Sequence, residues 1–294
     1  MLLPLALLLV ADPAPIVVTA TPLIDAQIAE QAGAYVRGML PTPQYGQYAR
    51  WAVPICINVA GVEGAIAARV ARRIEAAATD ATAKIAKPGC KTNLEIVFTP
   101  DAATTIKTIV RRQPKQIARL NGTERDTMLN TPLPVRWWHG LELRDRDGSP
   151  AVPGGSAALM SAGVAGGPPL GSVLPAGPDA AMTDSRSSSL INSSVAIWVT
   201  SAVVVIDVTL ATGKPLDAVS DYVALAALAP LKLPPPVPGV PSILALFDTP
   251  DSPIDRLSRW DRAWLSAVYS IPMARSGQRQ RGDITARMAA TMKE

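Results

Sequence analysis

From Ala202 to Ala229 the hydrophobic positions change period in the middle of one stretch. Val203 to Val208 is an apolar run rich in β-branched residues, broken only by Asp207, which predicts a strand covered on both faces. Gly213 and Pro215 then supply a turn and a first helical position. From Leu216 to Ala229 apolar residues fall on nearly every side, which predicts a buried helix of about three to four turns. Its polar interruptions, Asp217, Ser220 and Asp221, cluster in the first turns, where carboxylates suit the helix dipole.

The same logic reads the rest of the chain. Ile24 to Leu40 has an amphipathic helical period ended by Pro41 and Pro43. Strand-like runs at Pro54–Val59 and Asn93–Phe98 flank a helix carrying Ile66, Val70, Ile74 and Ala77 on one face. A further helix follows Pro100, and Arg111, Arg112 and Lys115 at its end read as a solvated basic face. Pro134 to Glu142 alternates, with Val135, Trp137, His139 and Leu141 on one side and Arg136, Trp138 and Glu142 on the other. Ser188 to Val199, followed by Thr200 and Ser201, predicts a hairpin into the central strand. Ser242 to Phe247 reads as an apolar turn docked on the core. Two helices close the chain, the first N-capped by Ser258 and the second, Ser276 to Met292, with a basic outer side. The aromatic residues Tyr45, Tyr48 and Trp51 read as the rim of a core.

Composition changes this picture at two places. The first eleven residues are almost wholly apolar, too short a run to span a bilayer and of the size of a signal-peptide core, with small residues before Ala20. Residues 1–20 are therefore read as a signal peptide, without a transmembrane segment elsewhere. Residues 145–189 are dominated by Gly, Pro, Ser and Ala and are read as a flexible loop. The remainder, 21–294, is read as a single α+β domain: a mixed sheet with packed helices. In 294 residues, 48% hydrophobic content is ample for a core, while 4% aromatic content leaves the packing to Ala, Val, Leu and Ile. A net charge of +4 with scattered basic residues argues against a nucleic-acid partner.

Candidate chemistry is sparse. Cys56 and Cys90 are the two cysteines, each beside a strand of a strand–helix–strand unit that returns its second strand next to its first. Together with export this favours a disulfide over two inert thiols or a metal pair. His139 is the only histidine, which rules out zinc sites built on two or three histidines. No nucleophile motif accompanies it. Asp207, Asp217 and Asp221 are the candidates for an acid/base pair, Asp217 and Asp221 sharing a helical face. The plainer reading is that they are helix-start carboxylates facing solvent. No cofactor or metal is expected.

Three stretches carry a resemblance: Val203–Val208 with Leu216–Leu228, Pro241–Phe247, and Leu257–Tyr269. With Cys56 and the Gly89–Leu94 run, they resemble a group of uncharacterised exported proteins of Gram-negative bacteria. More distantly their order is similar to degenerate zincin-like metallopeptidase domains. Active members carry His-Glu-x-x-His on the matching helix; here that helix reads Ser220-Asp-Tyr-Val-Ala-Leu, so neither zinc nor hydrolysis carries over. The resemblance implies a periplasmic or secreted, non-catalytic scaffold that binds a peptide or envelope partner, with the Val203–Val208 strand offering backbone groups to an extended peptide. The alternative is a metal-independent hydrolase using the carboxylates near Asp207 and Asp221.

Overall fold

The computed structural model describes residues 24–293 apart from 45, 118–119, 146–147, 149–151, 154–180, 183–194 and 237–238. The expected signal peptide, Tyr45 and most of the Gly/Pro/Ser-rich stretch lie outside the described residues. In chain order the helices are α1 (Asp25–Met39), α2 (Gly64–Asp80), α3 (Ala102–Arg112), α4 (Gly122–Asn130), α5 (Leu216–Leu228), α6 (Arg259–Ser270) and α7 (Gly277–Lys293). The strands are β1 (Arg50–Trp51), β2 (Ile57–Ala60), β3 (Leu94–Thr99), β4 (Val135–Asp145), β5 (Val152–Pro153), β6 (Ala181–Met182) and β7 (Val195–Asp207). β5 and β6 form a small antiparallel pair of their own.

The main sheet runs β4–β7–β3–β2. β2, β3 and β7 are parallel, and β4 pairs antiparallel along β7, from Val135 opposite Ile206 to Asp145 opposite Val195. The short β1 continues beside the first half of β7, parallel to it. This is the mixed α+β sheet expected from the sequence. Alternation sorts its side chains between two unequal layers. Leu94, Ile96, Phe98, Val135, Trp137, Val204 and Ile206 enter the large core beneath α1, α2, α5, α6 and α7. Val97, Trp138, Val203 and Val205 face a smaller core with Ile106, Val110 and Met128 from α3 and α4. β7 is therefore covered on both faces, and α5 is buried throughout from Ala218 to Leu228.

The turn between them carries Gly213 at φ 83° as expected, while Pro215 stands at the N-cap of α5, one residue before the first helical position expected for it. Ser258 caps α6 through a reciprocal pair with Asp261. Gly61 follows β2 at φ 84°, and a Cβ there would lie 2.0 Å from Phe98 O, so the close approach of β2 to the end of β3 requires glycine.

Two expectations are corrected. The hairpin expected from Ser188–Val199 does not turn at Thr200 and Ser201: within the described residues Val195 to Asp207 is one strand, and its antiparallel partner is β4. Thr200 and Ser201 lack the positive φ that a tight hairpin turn needs, and the register shifts by one residue there instead, between Gly140 and Leu141 on β4. The second correction concerns Val203–Val208, which lies in the middle of the sheet with β4 and β3 bonded to its two sides. Its backbone groups are spent, so it cannot offer them to a peptide.

Cys56 and Cys90 form a disulfide with Cα atoms 6.0 Å apart. It ties the entry of β2 to the entry of β3. Asn93 reinforces the same junction: its side chain accepts from Cys56 N–H and donates to Pro54 O. Among the described residues no helix is long and apolar enough to cross a membrane. Both facts are compatible with an extracytoplasmic location.

Candidate ligand-binding cleft

β4 is the one long strand whose outer side carries no strand among the described residues. The bond from Asp207 N–H to Pro134 O, 2.9 Å, sets the parity of the β4–β7 ladder. Residues 136, 138 and 140 exchange bonds with β7, and the N–H and C=O groups of Val135, Trp137 and His139 point away from it. A cleft of ≈ 100 Å³ lies across this edge. Trp137 and His139 from the large-core face line it together with Trp138, Leu120 and Glu124 from the opposite face, and Pro230, Leu231 and Leu233 close one side. The walls are mostly apolar, and the volume is below the about 150 Å³ of a cavity that takes up benzene. It suits a small aliphatic side chain.

His139 borders this cleft but has a structural duty. Its Nε2 lies 3.1 Å from Ala227 O, so Nε2 carries the hydrogen and donates. Trp51 Nε1 donates to the same oxygen and Tyr269 Oη to Leu228 O. These three side chains satisfy carbonyls that the end of α5 leaves without helical partners. Burial pushes the His139 imidazole down to about 4, and it stays neutral at ordinary pH.

That shift has a consequence with a fixed sign. The unfolded chain takes up a proton near the ordinary value of 6.5, while the folded chain resists it. Stability is fully present above about 6.5 and falls as the pH drops toward 4. Denaturant unfolding is expected to give a loss of about 2 to 3 kcal/mol from His139 between pH 7.5 and 4.5. His139→Gln keeps a donor without the titration and should show a shallower pH profile; parallel profiles for the two proteins would contradict this.

The three candidate carboxylates are not gathered into one site. Asp207, buried at the end of β7, accepts from Thr209 and Leu210 N–H through one oxygen and from Ala102 N–H, the first residue of α3, through the other. It ties the β7 exit to α3. Asp217 and Asp221 face α2, one turn apart, and meet Arg69 and Arg73, also one turn apart. Arg69 grips Asp217 through two bonds of 2.7 and 2.9 Å, and Arg73 grips Asp221 through two of 2.7 and 2.8 Å. The Arg69 hydrogen bonds hold the Asp217 carboxyl below its usual range. Asp221 also accepts from Leu257 N–H, and its side chain is only 7% exposed. Asp217 matches the solvent-facing reading in part; Asp221 and Asp207 do not, because both are buried and bonded.

The spacing of four between Arg69 and Arg73 repeats that of Asp217 and Asp221, and this match was the signal in the sequence for their pairing. In the sequence, Arg136 shows no role beyond its place in the strand alternation. That guanidinium is buried and donates to Met128, Leu133 and Thr131 carbonyls, closing the end of α4 against β4. Helix α4 itself was missed, since its apolar period is weak; the signal was Asn121 with Glu124 three residues on, a reciprocal cap that the structure forms.

The chain matches no family model, no curated protein and no solved structure. Among the described residues no group of three or more His, Cys, Asp or Glu side chains is placed to hold a metal ion.

Proposed function

We propose that this is an exported, non-catalytic scaffold, distantly zincin-like, that binds a peptide or a segment of an envelope protein in extended form along β4. The observation that carries this reading is the cleft across the outer edge of β4, where the backbone groups of Trp137 and His139 point away from β7 and meet no partner strand among the described residues. An extended chain adding there would gain main-chain hydrogen bonds from the edge and place one small aliphatic side chain in the cleft. The helix that would carry catalytic ligands in a zincin instead packs Tyr222 edge-on against Trp137, 6.4 Å between ring centres, and against Phe247 at 5.1 Å. The carboxylate hydrolase is disfavoured because Asp217 and Asp221 are held in two-point ion pairs and Asp207 in three backbone bonds.

Calorimetry against a panel of extended hexapeptides, differing in whether the central residue is Ala, Val, Leu, Phe or Asp, tests the reading. Val or Leu is expected to bind best and Asp not at all. Leu120→Trp, which fills the cleft from a partly buried loop position, is expected to weaken the best peptide about tenfold or more, the loss of one good anchoring contact. Hydrolysis of any peptide in the panel, or equal binding by the Trp variant, would sink the proposal.

A further inference from the structure

A second concavity is lined by different chemistry. It runs between α2, α5 and the segment entering α6, as two adjoining hollows of ≈ 380 and ≈ 410 Å³ that share Ala77, Asp80, Leu257 and Arg262. None of its lining residues borders the β4 cleft. Six arginines line it and no lysine does: Arg69, Arg72, Arg73, Arg256, Arg259 and Arg262. Three carboxylates accompany them.

The charges are not equally committed. Arg69 and Arg73 are spent on Asp217 and Asp221, and Arg256 makes a two-point pair with its neighbour Asp255. Arg259 gives one N–H to Thr291 O, and Arg262 gives one to Leu257 O. Arg72 pairs with no carboxylate among the described residues. The available donors therefore belong to Arg72 on α2 and to Arg259 and Arg262 on α6, two helices in contact, with only Asp80 opposing them. The inner ion pairs meanwhile tie α2 to α5.

We propose that this groove binds a ligand carrying phosphate groups, held between Arg72 on one wall and Arg259 and Arg262 on the other. Guanidinium groups present a planar fork of donors that matches such oxyanions, which a set of lysines would not. Phosphate suits a two-walled groove because its tetrahedral oxygens can accept from guanidinium groups on opposite sides at once. The groove exceeds one phosphate in size, so the ligand is a phospholipid headgroup or a soluble molecule with several phosphates.

The experiment uses the full chain at low salt. Inorganic tripolyphosphate is titrated by calorimetry, and co-sedimentation is measured with phosphatidylcholine vesicles containing phosphatidylglycerol. Arg72→Gln with Arg262→Gln is compared with Arg279→Gln with Arg287→Gln, which removes equal charge from the exposed side of α7. Binding by the wild type, weakened about tenfold or more in the groove variant and less than about twofold in the α7 variant, is expected. Tripolyphosphate alone assigns a soluble ligand; vesicles alone assign a lipid; either supports the site. If the groove variant fails to fold, Arg72→Gln alone makes the same comparison. No binding of either probe, or equal loss in both variants, overturns the proposal.

Discussion

Asp261→Ala is expected to lower stability by about 4 kcal/mol, seen as a fall of roughly 10 °C in Tm. The residue is fully buried, and its carboxylate is the meeting point of four donors from three parts of the chain. One oxygen accepts from Tyr35 Oη at 2.8 Å and Ser242 Oγ at 2.5 Å. The other accepts from Ile243 and Ser258 N–H, both at 2.8 Å. α1, the 3-10 turn at Ile243–Phe247 and the start of α6 are thereby fixed to one another. Burial, with the Asp261 charge beside it, pushes the Tyr35 hydroxyl well above its ordinary range, so Tyr35 remains a donor. Alanine would leave the buried Ile243 N–H without an acceptor, at a cost of about 1 to 3 kcal/mol, would strand the partly buried Ser258 N–H and the Tyr35 and Ser242 hydroxyls, and would undo the reciprocal cap of α6. Asp261→Asn keeps the size and some of the acceptor capacity and is expected to cost less. A change below about 1 kcal/mol for the alanine variant would contradict the role given to this carboxylate.

Loss of the disulfide is expected to cost a similar amount. The bridge closes a sequence separation of 34 residues, for which the chain-entropy relation gives about 4 kcal/mol. Urea unfolding of the protein with and without reductant, or of Cys56→Ser with Cys90→Ser, measures it. Thiol titration of the unreduced, unfolded protein should find no free thiol and two after reduction. Two thiols before reduction would break both this prediction and the link to an oxidising compartment.

How much of this was readable in the sequence differs from element to element. The second half of β7 and α5 were legible because a double-covered strand and an all-round buried helix leave plain apolar runs, whereas the first half of β7, Val195–Ser201, reads in the sequence as an arm of a hairpin. The disulfide was legible because a strand–helix–strand unit of this length brings the entries of its two strands together. Which strand forms the edge was not, since edge position depends on the pairing of β4 with β7 across nearly fifty intervening residues. Nothing in Val203–Val208 itself says that both its sides are occupied. The candidate site was half legible. Alternation in Val135–Leu141 sorted Trp137 and His139 from Trp138 correctly, yet the cleft needs residues from both faces and from Pro230–Leu233. The acids were picked by type and spacing; their partners, Arg69 and Arg73, come from a helix nearly 150 residues away, and only folding reveals that they are spoken for.

The central claim is that an extended peptide adds to the outer edge of β4. Residue-resolved amide hydrogen exchange, with and without the best hexapeptide, tests it most directly. The account predicts slowed exchange at Trp137 and His139, whose N–H groups point outward, with little change at Arg136 and Trp138, which already bond to β7. Protection confined to the α2–α6 groove, or none along β4, would contradict it.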